Sequence, residues 1–403
     1  MNKVPENGSF LPYGRQQIDE ADEQAVLEVL RGDWLTTGPT VDAYEAAFAE
    51  RVGAKHAISC SSGTAGLHMA ALALDLDFGD IVVVPSVTFL ATANAARYVK
   101  ADVLFADVDP KTGVMRVEDV KRAIAGMTKG TVKAIFPVHL TGHTVNIDEL
   151  AGEFPELVFV EDACHAIGAE YEIGGGMVPV GSCPHGGITM FSTHPVKTIA
   201  TGEGGMLTTN SDRFAESLRQ ARNHGLVREP DRFLNKRMGF ENGVPAPWYY
   251  EMHEPGYNYR LSDINAALGL SQLHKLDGFV ATRRALRTRY QELLDGLGPH
   301  VAMQRVASGC NPAWHLAVAL IDFAALGTTR TEVMTALKER GIGTQVHYIP
   351  VHRQPYYANR YQTQSLPGAD AYYARCLSLP LFPAMAESDV DRVVAELSEV
   401  LGI

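Results

Sequence analysis

The 403-residue sequence lacks both a basic region and a long apolar run. Its 35 Lys and Arg residues are outnumbered by 47 Asp and Glu residues, and the resulting formal net charge of −12 is scattered. We therefore expect no nucleic-acid-binding surface, because such a surface needs clustered positive charge. No stretch approaches the roughly 18 consecutive apolar residues of a membrane span, so no membrane partner is predicted. Local cations or helix N-termini could still bind a small anionic substrate.

Cysteine is also scarce. The five cysteines are odd in number, contain no CxxC pair and are scattered, as Cys60, Cys164, Cys183, Cys310 and Cys376. This pattern does not indicate a disulfide framework. The first twenty residues carry no apolar stretch of the signal-peptide type. We therefore expect a reduced protein located in the cytoplasm.

What the chain does contain, from about residue 56, is an alternation of short apolar segments with helix-like segments. The apolar segments are rich in β-branched residues and include "HAISC", "DIVVVP", "DVLFADV", "VKAIFPV", "LVFVED", "GITMFS" and "GMLTTN". This pattern predicts an α/β fold with a mostly parallel central sheet and helices on both faces. A long helix is predicted from Leu261 to about Leu297, followed by a smaller C-terminal α+β domain. We place the domain boundary after residue 260, which gives domains 1–260 and 261–403.

Polar and glycine-rich loops follow several of the predicted strands. "SSGT" follows "HAISC", Thr88 and Phe89 follow "VVVPS", Asp162 ends "LVFVED", and Lys197 lies in the loop after "GITMFS". In open parallel sheets, ligands bind beyond the carboxyl ends of the strands. The convergence of these loops on one edge predicts a binding site there more strongly than any one motif does.

The loop "SSGTAGL" combines small residues with a helix start. The unpaired N–H groups of a first helical turn, together with the helix dipole, favour a bound phosphate. A plain N-cap by Ser62 or Thr64 is the alternative interpretation.

Asp162 and Lys197 are the two candidate reactive groups. A carboxylate at a buried strand end must be paired, and a protonated pyridine nitrogen is one suitable partner. A structural cap or salt bridge is the alternative for Asp162, and a surface amine is the alternative for Lys197. The flanks "FSTHPV" and "TIATGEGG" favour a partly desolvated amine that forms a Schiff base. Cys164 and His165 have no second Cys/His pair at ligand spacing, so no metal is predicted.

A phosphate cradle, an aspartate and a lysine in this chain order indicate pyridoxal 5'-phosphate as the cofactor. Lys197 would hold the cofactor until a substrate amine displaces it, and would then act as the base that moves the proton. Phe89 would stack on the cofactor ring, with core packing as the alternative. Asn258 lies before a helix start that Ser262 could cap.

The sequence resembles the DegT/StrS sugar-nucleotide aminotransferases over nearly its whole length. The motifs that carry the resemblance are "SSGTAGLH", "PSVTFLATANA", "VEDACHAIGAEY", "FSTHPVKTIATGEGGM" and "GYNYRLSDINAALGLSQL". The family implies a fold type I (aspartate aminotransferase-like) enzyme in which Lys197 holds the cofactor and Asp162 pairs with its ring nitrogen. It further implies phosphate contacts from Gly63, Thr64 and Ser192, and stacking by Phe89.

The same resemblance implies that Asn258 reaches the cofactor phosphate of a neighbouring subunit, so we expect a homodimer with shared active sites. Some family members are dehydratases that have lost the lysine, and the presence of Lys197 therefore favours transamination.

A narrower resemblance, carried by "APWYYEMHEPGYNYR" and "GIGTQVHYIPVHRQPYY", is to the transaminases of pseudaminic acid biosynthesis. It implies transfer of an amino group from L-glutamate to C4 of a UDP-linked 2-acetamido-2,6-dideoxy-4-keto-L-hexose. The substrate residues that it implies are Tyr13, Leu35, Thr36, Thr37, Gly38, Gln345, His347 and Tyr348.

Several alternatives stay open at this point. Cys60, Ser61, Thr193 and Ala200 depart from the usual family motifs, which weakens the assignment of the exact sugar. GDP-4-keto-6-deoxymannose and UDP-4-keto-6-deoxy-GlcNAc are alternative acceptors, and a non-catalytic, cofactor-binding regulator is a further alternative. A dinucleotide-binding oxidoreductase is disfavoured because no GxGxxG motif follows the first strand.

Overall fold

The computed structural model of the chain describes residues 10–127, 129–361 and 365–403. The helices, numbered in chain order, are α1 Glu20–Arg31, α2 Pro39–Val52, α3 Gly63–Ala73, α4 Leu90–Tyr98, α5 Val117–Ala125, α6 Ile147–Glu153, α7 Asp212–Arg222, α8 Lys236–Gly239, α9 Asp263–His274, α10 Leu276–Leu294, α11 Arg330–Glu339, α12 Pro355–Tyr361, α13 Pro367–Arg375 and α14 Glu387–Leu401.

The strands are β1 His56–Cys60, β2 Asp80–Pro85, β3 Asp102–Ala106, β4 Thr131–Ile135, β5 Val158–Asp162, β6 Glu170–Ile173, β7 Gly176–Pro179, β8 Ile188–Ser192, β9 Gly205–Thr209, β10 Leu226–Val227, β11 Phe240–Glu241, β12 Val244–Pro245, β13 Glu251–Met252, β14 Val301–Met303, β15 Cys310–Asn311, β16 Ala317–Ile321 and β17 Cys376–Leu379.

Seven of these strands form the central sheet, in the order β1-β9-β8-β5-β4-β2-β3. Strands β3, β2, β4, β5 and β8 pair in parallel, whereas β9 is antiparallel to both of its neighbours, β8 and β1. The predicted mostly parallel sheet is therefore present, with one reversed strand. All of its strands except β4 are buried for most of their length, which explains why they appear in the sequence as nearly continuous apolar runs.

The topology brings the carboxyl ends of β1, β2, β5 and β8 to one edge of the sheet. At that edge, the β1 loop leads into α3 and the β2 loop leads into α4, while β5 ends at Asp162. The reversed strand β9 begins at the same edge, and Gly205 pairs with Ser192 in the ladder between β8 and β9. The loop of residues 193–204 therefore starts and ends beside the other candidate loops.

A second, smaller sheet consists of β14, β16 and β17, all antiparallel. Its core includes apolar residues of α10, α11 and α14, whereas the main core surrounds the central sheet. The segment predicted as one long helix is instead two helices, α9 and α10, which meet at Lys275. Leu276 and Phe279 in the first part of α10 belong to the main core, and Leu286 and Tyr290 belong to the smaller one. The boundary after residue 260 stays a prediction.

Within these described ranges, no helix combines the length and the apolar character that crossing a membrane requires.

Candidate active site

Lys197 lies on a loop that is closed by hydrogen bonds at both ends. The Thr193 N–H donates to the Gly204 carbonyl at 3.0 Å, and the Thr201 N–H donates to the Thr193 carbonyl at 2.8 Å. The hydroxyl oxygens of Thr193 and Thr201 are 2.6 Å apart. A side chain at Gly204 would place its Cβ 2.4 Å from both hydroxyl oxygens, so the approach of the two threonines requires glycine there. The loop thus holds Lys197 at a fixed point beside the sheet edge.

Asp162, the last residue of β5, is buried and faces the same space. Its Oδ2 accepts a hydrogen bond from the Thr92 hydroxyl at 2.6 Å, and its Oδ1 accepts one from the Cys164 N–H at 3.2 Å. A carboxylate with two ordered donors keeps a fixed orientation. The arrangement suits a carboxylate that must present negative charge to a cationic partner.

The N-terminus of α3 forms the third part of the site. Ser62 caps the helix, with its hydroxyl accepting from the Ala65 N–H and its carbonyl accepting from the Gly66 N–H. Gly63 and Thr64, the first two residues of α3, have no acceptor for their N–H groups among the described residues. An added Cβ on Gly63 would lie 3.1 Å from the Ser192 Cβ, so Ser192 stands directly against the helix start. Both the N-cap and the anion-binding interpretations fit this geometry. Ser62 accepts only from the N–H groups of Ala65 and Gly66, so those of Gly63 and Thr64 can still bind an anion.

These groups line one cleft of roughly 460 Å³. The predicted site residues that the structure brings together around it are Tyr13, Gly63, Thr64, Phe89, Asp162, Ser192, Lys197, Gln345, His347 and Tyr348. The Phe89 ring is 55% exposed, and its centroid lies 6.0 Å from that of Tyr348. An exposed aromatic ring at the entrance of a cleft is available for stacking, which favours the ligand interpretation over core packing.

Five predicted residues lie elsewhere: Leu35, Thr36, Thr37, Gly38 and Asn258. Residues 35–38 and 258–262 adjoin one another, with a bridge between Thr36 and Ser262 and the Asp263 N–H donating to the Leu35 carbonyl at 3.0 Å. We call the surface formed by these two segments the turn surface. Asn258 is exposed on it. In the single chain, the turn surface does not line the cleft that contains Lys197.

The cleft lining also includes residues to which the sequence analysis gave no role in the site, namely Thr88, Cys164, His165, His194, Glu203 and His315, and Thr92 contacts Asp162 from outside the lining. Thr92 follows Thr88 by one helical turn, a spacing that could have linked the two. His165 was considered only as a metal ligand, yet its Nδ1 accepts from the Thr141 N–H at 3.2 Å and its Nε2 lies 3.3 Å from the Tyr348 hydroxyl. His315 lies far along the sequence from the other residues of the cleft, and no motif around it predicts a place in the site.

The charges in the cleft are few. Burial lowers the pKa of the Lys197 amine below its ordinary value, although Cys164 and Asp162 partly oppose this change. Burial, together with the nearby charge of Lys197, lowers the pKa of His347 to about 3 and holds that of His165 well below its usual range. Burial also raises the pKa of the Tyr348 hydroxyl. At neutral pH the wall of the cleft formed by His165, His347 and Tyr348 is therefore uncharged but rich in hydrogen-bonding groups.

No group of three or more His, Cys, Asp or Glu side chains suited to a metal ion occurs in the part of the chain that the structure describes. The residues of the cleft do fit pyridoxal phosphate. They supply an amine with a lowered pKa, a buried carboxylate, an exposed aromatic ring and a helix start with unpaired N–H groups. Fold and site together define a pyridoxal-phosphate-dependent aminotransferase of fold type I.

The chain belongs to the DegT/DnrJ/EryC1/StrS aminotransferase family, whose model matches residues 16–398. It is similar in structure to the aminotransferase TlmJ of Streptoalloteichus hindustanus, with 28% identity, a TM-score of 0.85, and 98% of this chain and 99% of that chain covered. It is also similar to Helicobacter pylori PseC, an aminotransferase of pseudaminic acid biosynthesis, with 26% identity, a TM-score of 0.84, and 98% and 100% of the two chains covered.

A third similar structure is the PMP form of the putative sugar aminotransferase Spr1654 from Streptococcus pneumoniae, with 25% identity, a TM-score of 0.83, and 97% and 99% of the two chains covered. The comparisons confirm the predicted fold class and the predicted family. The protein is a sugar aminotransferase that acts on small-molecule substrates, and pyridoxal phosphate is its expected cofactor.

Proposed function

We propose that this enzyme transfers the amino group of L-glutamate to C4 of a UDP-linked 2-acetamido-2,6-dideoxy-4-keto-L-hexose. The observation that carries the reaction type is the placement of Lys197, Asp162 and the start of α3 around one cleft. The similarity to PseC over nearly the whole of both chains supports this sugar and the pseudaminic acid pathway. The enzyme would work in the cytoplasm.

Lys197 and Asp162 divide the chemistry between them. Pyridoxal phosphate, when bound, supplies a carbonyl that takes up the amino group and a ring that spreads carbanion charge. The Lys197 amine holds the cofactor, takes the α-proton of glutamate, and later delivers a proton to C4 of the sugar. The Asp162 carboxylate keeps positive charge on the ring nitrogen throughout. Gly63, Thr64 and Ser192 bind the phosphate group.

The uncharged wall of the cleft is the proposed binding surface for the sugar. Gln345, His347 and Tyr348 lie on one segment of it, and the Tyr13 ring packs against His347 with centroids 5.4 Å apart. Neutral imidazole, amide and phenol groups suit the hydroxyl and acetamido groups of a hexose, because each can donate or accept a hydrogen bond. His347 Nδ1 is 2.7 Å from the Ser378 hydroxyl, which fixes the orientation of that ring.

The proposed active unit is a homodimer in which the turn surface completes the site of the neighbouring subunit. Asn258 is exposed and lies outside its own cleft, as expected of a residue that acts on a second copy. Leu35, Thr36, Thr37 and Gly38 adjoin it and would reach the same sugar-nucleotide site.

A single-turnover absorbance measurement tests the proposal. The protein is converted to its pyridoxamine form with L-glutamate, freed of excess donor, and mixed with each candidate keto sugar. We expect the absorbance of the pyridoxal form to return fastest with the UDP-linked 4-keto-6-deoxy-L-HexNAc. A faster return with GDP-4-keto-6-deoxymannose or UDP-4-keto-6-deoxy-GlcNAc would support the aminotransferase activity but contradict the proposed acceptor sugar. If glutamate and other amino donors all failed to change the absorbance, a cofactor-binding regulator would be the better account.

A further inference from the structure

The hydroxyl groups of two buried threonines form a hydrogen-bonded chain that ends at the Asp162 carboxylate. Thr92 Oγ1 is 2.6 Å from Asp162 Oδ2, and Thr88 Oγ1 is 2.8 Å from Thr92 Oγ1. Thr92 is fully buried on α4, and Thr88, just before that helix, is 2% exposed. Thr88 lines the cleft, whereas Thr92 does not. The Thr92 hydroxyl therefore lies outside the cleft lining, but it contacts the Asp162 carboxylate.

The direction of these hydrogen bonds follows from the charge on Asp162. An ionised carboxylate can only accept, so the Thr92 hydroxyl must donate to it. The Thr92 oxygen then has lone pairs that face the Thr88 hydroxyl, which donates in turn. Because both threonines are buried, both hydrogen bonds act in a low-dielectric surrounding where they are electrostatically stronger.

We propose that Thr92 is a positioning residue that holds the Asp162 carboxylate in its orientation and donates a hydrogen bond to its negative charge, and that Thr88 orients the Thr92 hydroxyl. The inference rests on the proposed pairing of Asp162 with the cofactor ring nitrogen. A donor to the carboxylate stabilises the charge-separated pair, in which the shared proton stays on the ring nitrogen. The Asp162 carboxylate then does not remove this proton from the ring nitrogen. The ring therefore keeps its capacity to accept electrons.

The variant Thr92→Val removes the hydroxyl while keeping nearly the same volume. Loss of a hydrogen bond to a charged group predicts a fall in kcat of about 10-fold for both half-reactions, with the KM for glutamate nearly unchanged. With less positive charge on the ring, the nitrogen that joins Lys197 to the cofactor becomes more basic. The pH midpoint of the absorbance change of the bound cofactor should therefore rise. Thr92→Ser should return kcat and the pH midpoint to near their wild-type values. Thr88→Val should lower kcat and raise the midpoint, but by less than Thr92→Val does.

The matched control is Thr189→Val. Thr189 is also a fully buried threonine, and its hydroxyl donates to a carboxylate at 3.2 Å, but that carboxylate belongs to Glu161. Thr189→Val, a change on β8, therefore creates the same kind of defect at the carboxylate that precedes Asp162 on β5. We expect it to lower the melting temperature as Thr92→Val does, but to leave the absorbance midpoint and kcat at wild-type values.

The absorbance titration and the glutamate half-reaction are measured on the wild type and the four variants loaded with pyridoxal phosphate. A raised midpoint in Thr92→Val that Thr92→Ser reverses and Thr189→Val lacks would support the proposal. An unchanged midpoint and kcat in Thr92→Val would overturn it. So would equal shifts in Thr92→Val and Thr189→Val, which would show that Thr92 matters only for packing. If the wild type itself did not react with glutamate, the proposed function would fail separately.

Discussion

The Lys197 cleft and the turn surface both contain predicted site residues. These residues line one cleft in the first region, whereas in the second they are exposed outside it. In the cleft, loops from four strands and the segment with Gln345, His347 and Tyr348 converge within one chain. On the turn surface, Leu35, Thr36, Thr37 and Asn258 are exposed and do not line that cleft. A parallel sheet explains the first arrangement, because its strand ends must meet at one edge. For the second arrangement we propose that another copy of the chain supplies the site on which these residues act.

The largest expected effect in this comparison comes from Lys197→Ala. Loss of the proton-transferring amine should reduce turnover by at least roughly 10²- to 10⁴-fold, while the loop keeps its backbone hydrogen bonds. The check is the glutamate half-reaction, with the exposed Lys111→Ala as the control. Turnover near the wild-type rate in Lys197→Ala would remove the basis for treating the cleft as the active site.

Asp162→Asn should come next, with a loss of roughly 10²- to 10³-fold in kcat, because the ring nitrogen loses its anionic partner. The fold should survive, since an amide oxygen can still accept from the Cys164 N–H. Glu161→Gln is the neighbouring control. Glu161 accepts from buried His139 at 2.9 Å, so its loss should lower stability more than kcat. A larger kcat effect at Glu161 than at Asp162 would contradict the assignment.

Asn258→Ala tests the turn surface. Loss of the proposed contact to the cofactor phosphate predicts a roughly 10-fold weaker affinity for the cofactor. The decisive measurement mixes this variant with Lys197→Ala and assays the heterodimers. If Asn258 acts on the neighbouring subunit, one site of each heterodimer combines an intact Lys197 with an intact Asn258, and activity returns. Activity that stays at the level of the separate variants would place Asn258 in its own subunit's site or in none.

The smallest expected effect is a gain in stability. Burial lowers the pKa of Lys197 in the folded, cofactor-free chain below the 10.5 expected of an unfolded lysine. Folding therefore carries an electrostatic cost below the folded-state pKa, and this cost disappears as the pH rises from that value towards 10.5. Lys197→Met should stabilise the cofactor-free protein by about 1 kcal/mol at neutral pH, and by less in alkaline solution. Melting curves at the two pH values check this, and a gain that is independent of pH would point to packing instead.

Strand-end residues were the part of the site that the sequence could predict. Asp162 and Lys197 follow apolar runs, and the parallel topology alone brings them together. Thr92 and His315 were missed for different reasons. Thr92 lies inside a helix and acts through another residue, and His315 reaches the cleft from a distant segment, so no local pattern marks either. The long helix predicted from Leu261 is interrupted at Lys275, and the prediction missed this break because neither Gly nor Pro stands at or beside that position.

The reversed direction of β9 has a consequence for how the enzyme could acquire new substrates. Because the ladder between β8 and β9 fixes both ends of the Lys197 loop, the amine is anchored independently of the segments that carry Tyr13 and Gln345. Evolution or protein engineering can then vary the wall that we propose binds the sugar without moving the Lys197 amine. Changes of specificity in such a scaffold should be modular, so residues 13 and 345–348 are the first targets for redirecting it to another keto sugar.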